Sequence, residues 1–308
     1  MNENRRDVEI EVGGDICAAW MYEGEENGKA EARPVVVMAH GLSGTRRDRL
    51  GAFAERFAAA GCLALLFDHR GFGDSGGEPD LFDPAMQLED WARAIEFARS
   101  LPGADGERVV TFGSSMGGGN ALAAAALDER VAAAISQVPF LDIVRQAHRS
   151  PPRVALTMLR AAARNEYMPA VGQPHEAAFI NAPGAEEGWR RVVSIGEDSR
   201  WRDRVSTRWL LGRPYNVVGH AKDLHCPWLV CVGAEDRVAR PSVAIAAARR
   251  APKGELRVYE GVDHFDIYDG PQHEAVVADQ LEFLRRHVLD VAAPTRIKGW
   301  TSLSSLQD

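Results

Sequence analysis

Ser115, Asp236 and His264 are the residues in this chain whose types and order could do chemistry together. Ser115 is the centre of Gly113-Ser114-Ser115-Met116-Gly117, a G-x-S-x-G run. A serine hydroxyl becomes a nucleophile when a base takes its proton. The base needs an acid to hold its tautomer and stabilise its charged form. An imidazole at 264 and a carboxylate at 236 are of those two types. The chain order Ser, then Asp, then His is one of the orders such sites use. The chemistry would be attack on an acyl carbonyl. Close competitors exist: Ser114 beside the central serine, Glu235 beside Asp236, and Asp142 as an acid after an earlier strand.

Positioning these residues requires a sheet. Arg108 to Phe112 reads as a buried strand, and the Ala/Leu-rich run to Leu127 reads as a helix. Strand, sharp turn and helix would strain Ser115, with Gly113 and Gly117 removing side chains that would collide there. The amino end of that helix would offer free N–H groups to an oxyanion. Asp236 lies four residues past a strand ending at Val232, and His264 lies five past one ending at Tyr259. Gly233 and Gly261 open the two turns.

The rest of the alternation agrees. Val8 to Val12 and Ile16 to Tyr22 form a hairpin around Gly13-Gly14-Asp15. Pro34 to Ala39, Cys62 to Phe67 and Val131 to Ile135 are continuous apolar strands suited to burial on both faces. Helices are expected over Arg47 to Ala60, Pro84 to Ser100, Pro241 to Arg250 and Gln272 to Leu289. This order predicts an α/β fold, a mostly parallel sheet with helices on both faces. Ligands then bind at the carboxyl ends of the strands.

Leu141 to Lys222 breaks the rhythm. It holds helical pieces (Asp142 to His148 and Val154 to Arg164), several prolines, and Trp189, Trp201 and Trp209. We read residues 141–222 as a helical cap inserted into a core made of 1–140 and 223–290, with 291–308 a loosely held tail. Phe179 and Tyr167 join the tryptophans as candidate neighbours of an apolar or aromatic substrate portion, although such residues also form a cap's own core. The substrate-binding residues stay unknown at this level.

Composition narrows the partners. The chain has 308 residues, 36 basic against 44 acidic, and a net charge of -8. That argues against nucleic acid and anionic membrane. No apolar run approaches the roughly 18–20 residues of a membrane span. The polar start lacks the apolar core of a signal peptide. Cys17, Cys62, Cys226 and Cys231 lie in or beside apolar runs without a C-x-x-C pair, which suits reduced thiols and the cytoplasm. His220 and His225 are not at metal-ligand spacing, so no metal and no cofactor are expected. The expected partner is a small-molecule acyl substrate, and a homodimer is left open. Asp68 and Arg70 are expected to tie loops together, His40 and His69 to shape theirs, and Asp263 and Asp266 to be solvated.

With these motifs in hand, the sequence resembles the α/β-hydrolase superfamily from about residue 8 to 290. The matching runs are Gly113 to Gly117, His40-Gly41, Asp68-x-Arg70-Gly71-x-Gly73-x-Ser75, Gly233-x-x-Asp236-x-Val238 and Gly261-x-x-His264-Phe265. Within it the text is similar to bacterial hydrolases of the dienelactone-hydrolase/acetyl-xylan-esterase-like type and to fungal polyketide thiohydrolases and transferases. The resemblance implies an α/β-hydrolase fold, a Ser115-His264-Asp236 triad, and an oxyanion hole from the amides of Leu42 and Met116. It implies cleavage of a carboxylic ester or lactone. The alternatives are an acyltransferase or thioesterase acting on an acyl thioester, and, more remotely, a short-peptide hydrolase.

Overall fold

The computed structural model describes residues 5–24, 32–146, 151–194 and 200–290. Eight strands make the main sheet: β1 (Arg5–Val12), β2 (Asp15–Tyr22), β3 (Arg33–Ala39), β4 (Leu63–Phe67), β5 (Ala104–Ser114), β6 (Val131–Gln137), β9 (Trp228–Gly233) and β10 (Gly254–Tyr259). Two-residue strands β7 (Tyr167–Met168) and β8 (Val205–Ser206) pair separately. The sheet order is β1-β2-β4-β3-β5-β6-β9-β10. Within this sheet, only the pairs made by β2 are antiparallel among the described residues. The sheet is mostly parallel, as the alternation of elements predicts.

The strands are two-sided. In β3, Val35, Val37 and Ala39 join one apolar cluster, and Val36 and Met38 join the other. That is the period-two pattern of a strand with both faces covered. On the first face pack α2 (Pro84–Ser100), α3 (Met116–Leu127) and α8 (Pro241–Arg250), through residues such as Trp91, Leu122 and Ala247. On the second pack α1 (Leu50–Ala59) and α9 (Gly270–Leu284), through Phe53, Phe57, Val276 and Phe283. A π-helical turn, Arg285–Leu289, extends α9.

Local chemistry sets the element ends. Asp83 caps α2, its carboxylate accepting the N–H groups of Ala85 and Met86 at 2.8 and 3.2 Å, and Pro84 follows as the first helical residue. Such a cap is worth about 1 kcal/mol. The helix expected from Arg47 begins later, at Leu50. Asp48 accepts both the N–H and the hydroxyl of Thr45 at 2.8 Å, and Arg49 has φ 72°, so residues 45–49 are turned rather than helical.

Between β6 and β9 the chain forms α4 (Ile143–Gln146), α5 (Pro152–Ala163), α6 (Ala185–Ser194) and α7 (His220–Asp223), with a 3₁₀ turn at Arg208–Leu211. The expected helix over Asp142 to His148 is seen as α4, and residues 147–150 lie outside those described. The tail 291–308 also lies outside them.

Candidate active site

Ser115 stands between β5 and α3 with φ 57° and ψ −124°. A residue with a side chain reaches this region at a cost of about 1–3 kcal/mol, so the surroundings must impose it. Its N–H donates to Gln137 O at 2.9 Å. Its carbonyl accepts from Gly118, Gly119 and Phe140 at 2.9, 3.3 and 2.9 Å. The flanking glycines have a steric cause. A Cβ on Gly113 would strike the Gly117 carbonyl, and one on Gly117 would strike the His40 carbonyl.

His264, after β10, lies with Nε2 3.1 Å from Ser115 Oγ and Nδ1 2.7 Å from Asp236 Oδ2. The carboxylate accepts the Nδ1 proton, which leaves the Nε2 lone pair facing the serine hydroxyl. Asp236, after β9, accepts the N–H groups of Val238 and Ala239 on its other oxygen at 2.9 and 2.7 Å. His264 and Asp236 are 1% and 5% exposed, so little water competes for these bonds.

The competitors are occupied elsewhere. Asp142 caps α4, accepting from Val144 and Arg145 at 2.8 and 3.0 Å, and takes Asn216 on its second oxygen at 3.1 Å. Ser114 is buried, 2.5 Å from Tyr268 OH. Glu235 is exposed. Asp263 and Asp266, expected to be solvated, are partly exposed and also bond within the histidine loop. Asp263 accepts the His264 and Arg237 N–H groups at 2.8 and 3.1 Å, and Asp266 accepts the Asp263 N–H at 2.8 Å.

The loop after β3 lies against the serine. A Cβ on Gly41 would come 2.9 Å from Ser115 Cβ and 3.5 Å from Met116 N. His40 orients this loop. Burial, with His69 close by, pushes its pKa down to about 3, so the ring is neutral. His40 Nε2 accepts the His69 N–H at 3.2 Å, so the proton sits on Nδ1 and goes to Gly41 O at 2.8 Å. The peptide is trans, so the Leu42 N–H points opposite to that carbonyl. Neither the Leu42 nor the Met116 N–H has an acceptor among the described residues. Two free donors beside a serine can hold a developing oxyanion.

A buried charge network fixes the loop from the other side. Asp68 accepts the Arg46 N–H at 2.6 Å, and the Arg46 guanidinium pairs with Asp68 and, at 2.9 Å, with Asp74. Arg70 pairs with Asp90 at 2.5 Å, and His69 Nδ1 is 3.1 Å from the same carboxylate. None of these groups touches the imidazole of His264, and their part is to tie loops together.

Ser115, Leu42 and Met116 border a cavity of about 380 Å³, within the range of small-molecule sites. Most of its wall comes from residues 141–222, including Met158, Phe179, Trp209 and Leu210. Asn181 and Ser115 are its polar members. Of the aromatic residues singled out in the sequence, Phe179 and Trp209 line the cavity, stacked with ring centres 5.6 Å apart. Trp189 packs on Trp201 and on Phe265. Tyr167 lies under the Arg204 guanidinium and donates to Glu78 at 2.8 Å. The sequence reading missed Asn181 and Ile180, because residues 178–182 are irregular and show no periodicity, and did not single out Met158 on the expected helix α5.

Comparison with known proteins agrees with the fold. The chain is 39% identical over 294 residues to quorum-quenching protein AidA of Acinetobacter baumannii, covering 92% of this chain and 95% of that protein. It is 29% identical over 296 residues to polyketide transferase af380 of Aspergillus fumigatus, covering 92% and 99%. The solved structure of the alpha/beta hydrolase GrgF from Penicillium sp. sh18 matches with a TM-score of 0.78 at 23% identity, over 92% of this chain and 99% of that one. Residues 30–269 match the family described as serine aminopeptidase, S33. By fold and by sequence, the chain belongs to this S33 family of α/β hydrolases.

Proposed function

We propose that this chain is a serine hydrolase that cleaves a carboxylic ester or lactone through an acyl-enzyme. The observation that carries the reading is the continuous relay from Ser115 Oγ through His264 to Asp236, opening on an apolar cavity. His264 takes the hydroxyl proton as Ser115 Oγ bonds to the acyl carbon. The carbonyl oxygen gains the negative charge and is held by the Leu42 and Met116 amides. The C–O bond to the leaving group breaks as His264 returns the proton to it. Water, deprotonated by His264, then attacks the acyl-enzyme and releases the acid and Ser115. Residues 141–222 act as the cap, since they supply most of the cavity wall.

A second reading, acyl transfer or thioester cleavage, uses the same residues. The similarity to a polyketide transferase and the apolar wall favour it. Peptide hydrolysis from an amino terminus has less support. No carboxylate lines the cavity among the described residues, so nothing there would pair a substrate ammonium. The four cysteines are free and buried, which suits a reducing, cytoplasmic setting.

The test is a panel of esters, lactones and thioesters on the native protein and Ser115→Ala, with fluorophosphonate labelling beside it. The native protein should label at Ser115. The alanine variant should lose turnover by at least about a thousand-fold. Full turnover in the variant would sink the mechanism.

A further inference from the structure

Ser114, Gln137 and Gln280 are polar side chains in the interior of the fold, none more than 1% exposed. They lie on the α9 side of the sheet, where Phe112 and Val277 pack. Buried polar groups give up water and recover the loss only when paired. Here the pairs form a chain. Gln280 Nε2 donates to Gln137 Oε1 at 2.8 Å, and Gln137 Nε2 donates to Ser114 Oγ at 3.3 Å. Ser114 Oγ lies 2.5 Å from Tyr268 OH. Burial pushes the Tyr268 phenol pKa up, so the hydroxyl stays protonated.

The chain closes a circuit around the reacting groups. Ser114 ends β5 and directly precedes Ser115. Gln137 ends β6, and its carbonyl accepts the Ser115 N–H at 2.9 Å. Tyr268 ends the 3₁₀ turn Asp266–Tyr268, which begins two residues after His264. Helix α9 starts at Gly270, two residues past Tyr268, and carries Gln280. The bond between Ser114 and Tyr268 is therefore a direct side-chain link between the strand of the serine and the loop of the histidine.

We propose that Tyr268 is a positioning residue, whose hydroxyl bond to Ser114 sets the approach of His264 Nε2 to Ser115 Oγ. This rests on the reading of Ser115 as the nucleophile, and it adds the contact that fixes its distance from the base. That distance is 3.1 Å, near the long end of hydrogen-bond reach, so a small outward drift of either loop breaks it. A misplacement of about 1 Å can cost about a hundred-fold in rate, and a looser loop that still samples the right geometry costs about ten-fold. A polar cluster that only filled the core would change stability and leave kcat alone.

The experiment is a double-variant cycle on a short chromogenic ester, using Tyr268→Phe, Ser114→Ala and the two combined. Each single variant should lower kcat about ten-fold with KM unchanged, and should slow fluorophosphonate labelling of Ser115 by a similar factor. The combined variant should lose no more than either one, because both act through the same bond. Thr111→Val is the control. Thr111 is buried on the same strand and donates to Ala121 O at 3.0 Å, so the variant deletes one buried bond away from the histidine loop. Its kcat should stay within about two-fold of native. Native kcat in Tyr268→Phe overturns the proposal. So does a combined loss that multiplies to about a hundred-fold, or an equal loss in Thr111→Val. A native protein that does not label at Ser115 overturns instead the hydrolase reading beneath it.

Discussion

Asp236 Oδ2 lies 2.7 Å from His264 Nδ1, while Asp236 Oδ1 is occupied by two backbone N–H groups. Both oxygens are therefore acceptors in fixed directions. An asparagine can satisfy only one side: with its oxygen on the backbone amides, its NH₂ faces His264. The ring would then shift its proton to Nε2 and lose its power to accept from Ser115. Asp236→Asn should lower kcat by about a thousand- to ten-thousand-fold with little change in fold. Asp142→Asn should change kcat only a few-fold, because that carboxylate caps α4 and binds Asn216. Steady-state kinetics on both variants decide the acid, and equal losses would reject Asp236 as the sole partner.

Gly41 gives a second prediction. A methyl group there would sit 2.9 Å from Ser115 Cβ and 3.0 Å from Ser114 O, closer than real side chains pack. Gly41→Ala should push the loop off the serine and cost at least about ten-fold in kcat. Gly219→Ala is the control, since nothing lies within 4 Å of its added carbon. Comparable losses in both variants would mean that the close approach at Gly41 is not what matters.

His40 predicts a pH dependence of stability. Its native pKa is pushed down to about 3, against roughly 6.5 when unfolded. Between those values the unfolded chain binds a proton that the native protein does not. Stability is therefore lost as pH falls through this window, by up to about 1.4 kcal/mol per pH unit for this one proton. Buried His273, also lowered, acts in the same direction, and Asp68, raised by burial, acts oppositely. The difference between the native protein and His40→Gln isolates the one ring. That difference in unfolding free energy, measured by denaturant titration, should shrink as pH drops from 6.5 toward 4. A gap that stays constant would show that His40 protonates natively in this range.

The parts of the site visible in the sequence are those attached to strand-like apolar runs. β5, β9 and β10 end where the apolar runs around Phe112, Val232 and Tyr259 end, and Ser115, Asp236 and His264 follow within five residues. β9 and the end of β5 are buried on both faces, which leaves few alternative readings, whereas β10 is a half-buried edge strand marked by its apolar residues and the glycine after it. The cavity wall was less legible. Residues 178–182 are held by an irregular loop closure, the isolated bridge between Val171 and Ile180, which leaves no periodic pattern. Helix α6 did leave one: Ala185, Trp189 and Val192 are buried at spacings of four and three, but charged neighbours obscured them. Tyr167 shows the opposite error. Its aromatic ring suggested substrate contact, yet Arg204 and Glu78 occupy it.

Helix α6 also supports the histidine loop, which gives the last prediction. Arg191 donates to Phe265 O at 3.1 Å and pairs with Asp266 at 3.2 Å and Asp269 at 3.1 Å. Gly188 lets the helix approach, since a Cβ there would strike the Phe265 ring. Phe265 follows His264 directly, so helix α6 holds the backbone beside the imidazole. Arg191 is 43% exposed, and solvent screening keeps such pairs near 0.2–1 kcal/mol. Arg191→Ala should lower kcat about two- to five-fold while leaving KM for a short ester unchanged, and Arg191→Lys should recover part of the loss. A rise in KM at constant kcat would instead assign Arg191 to substrate binding. Unchanged kcat and KM would mean that the loop holds His264 without help from α6.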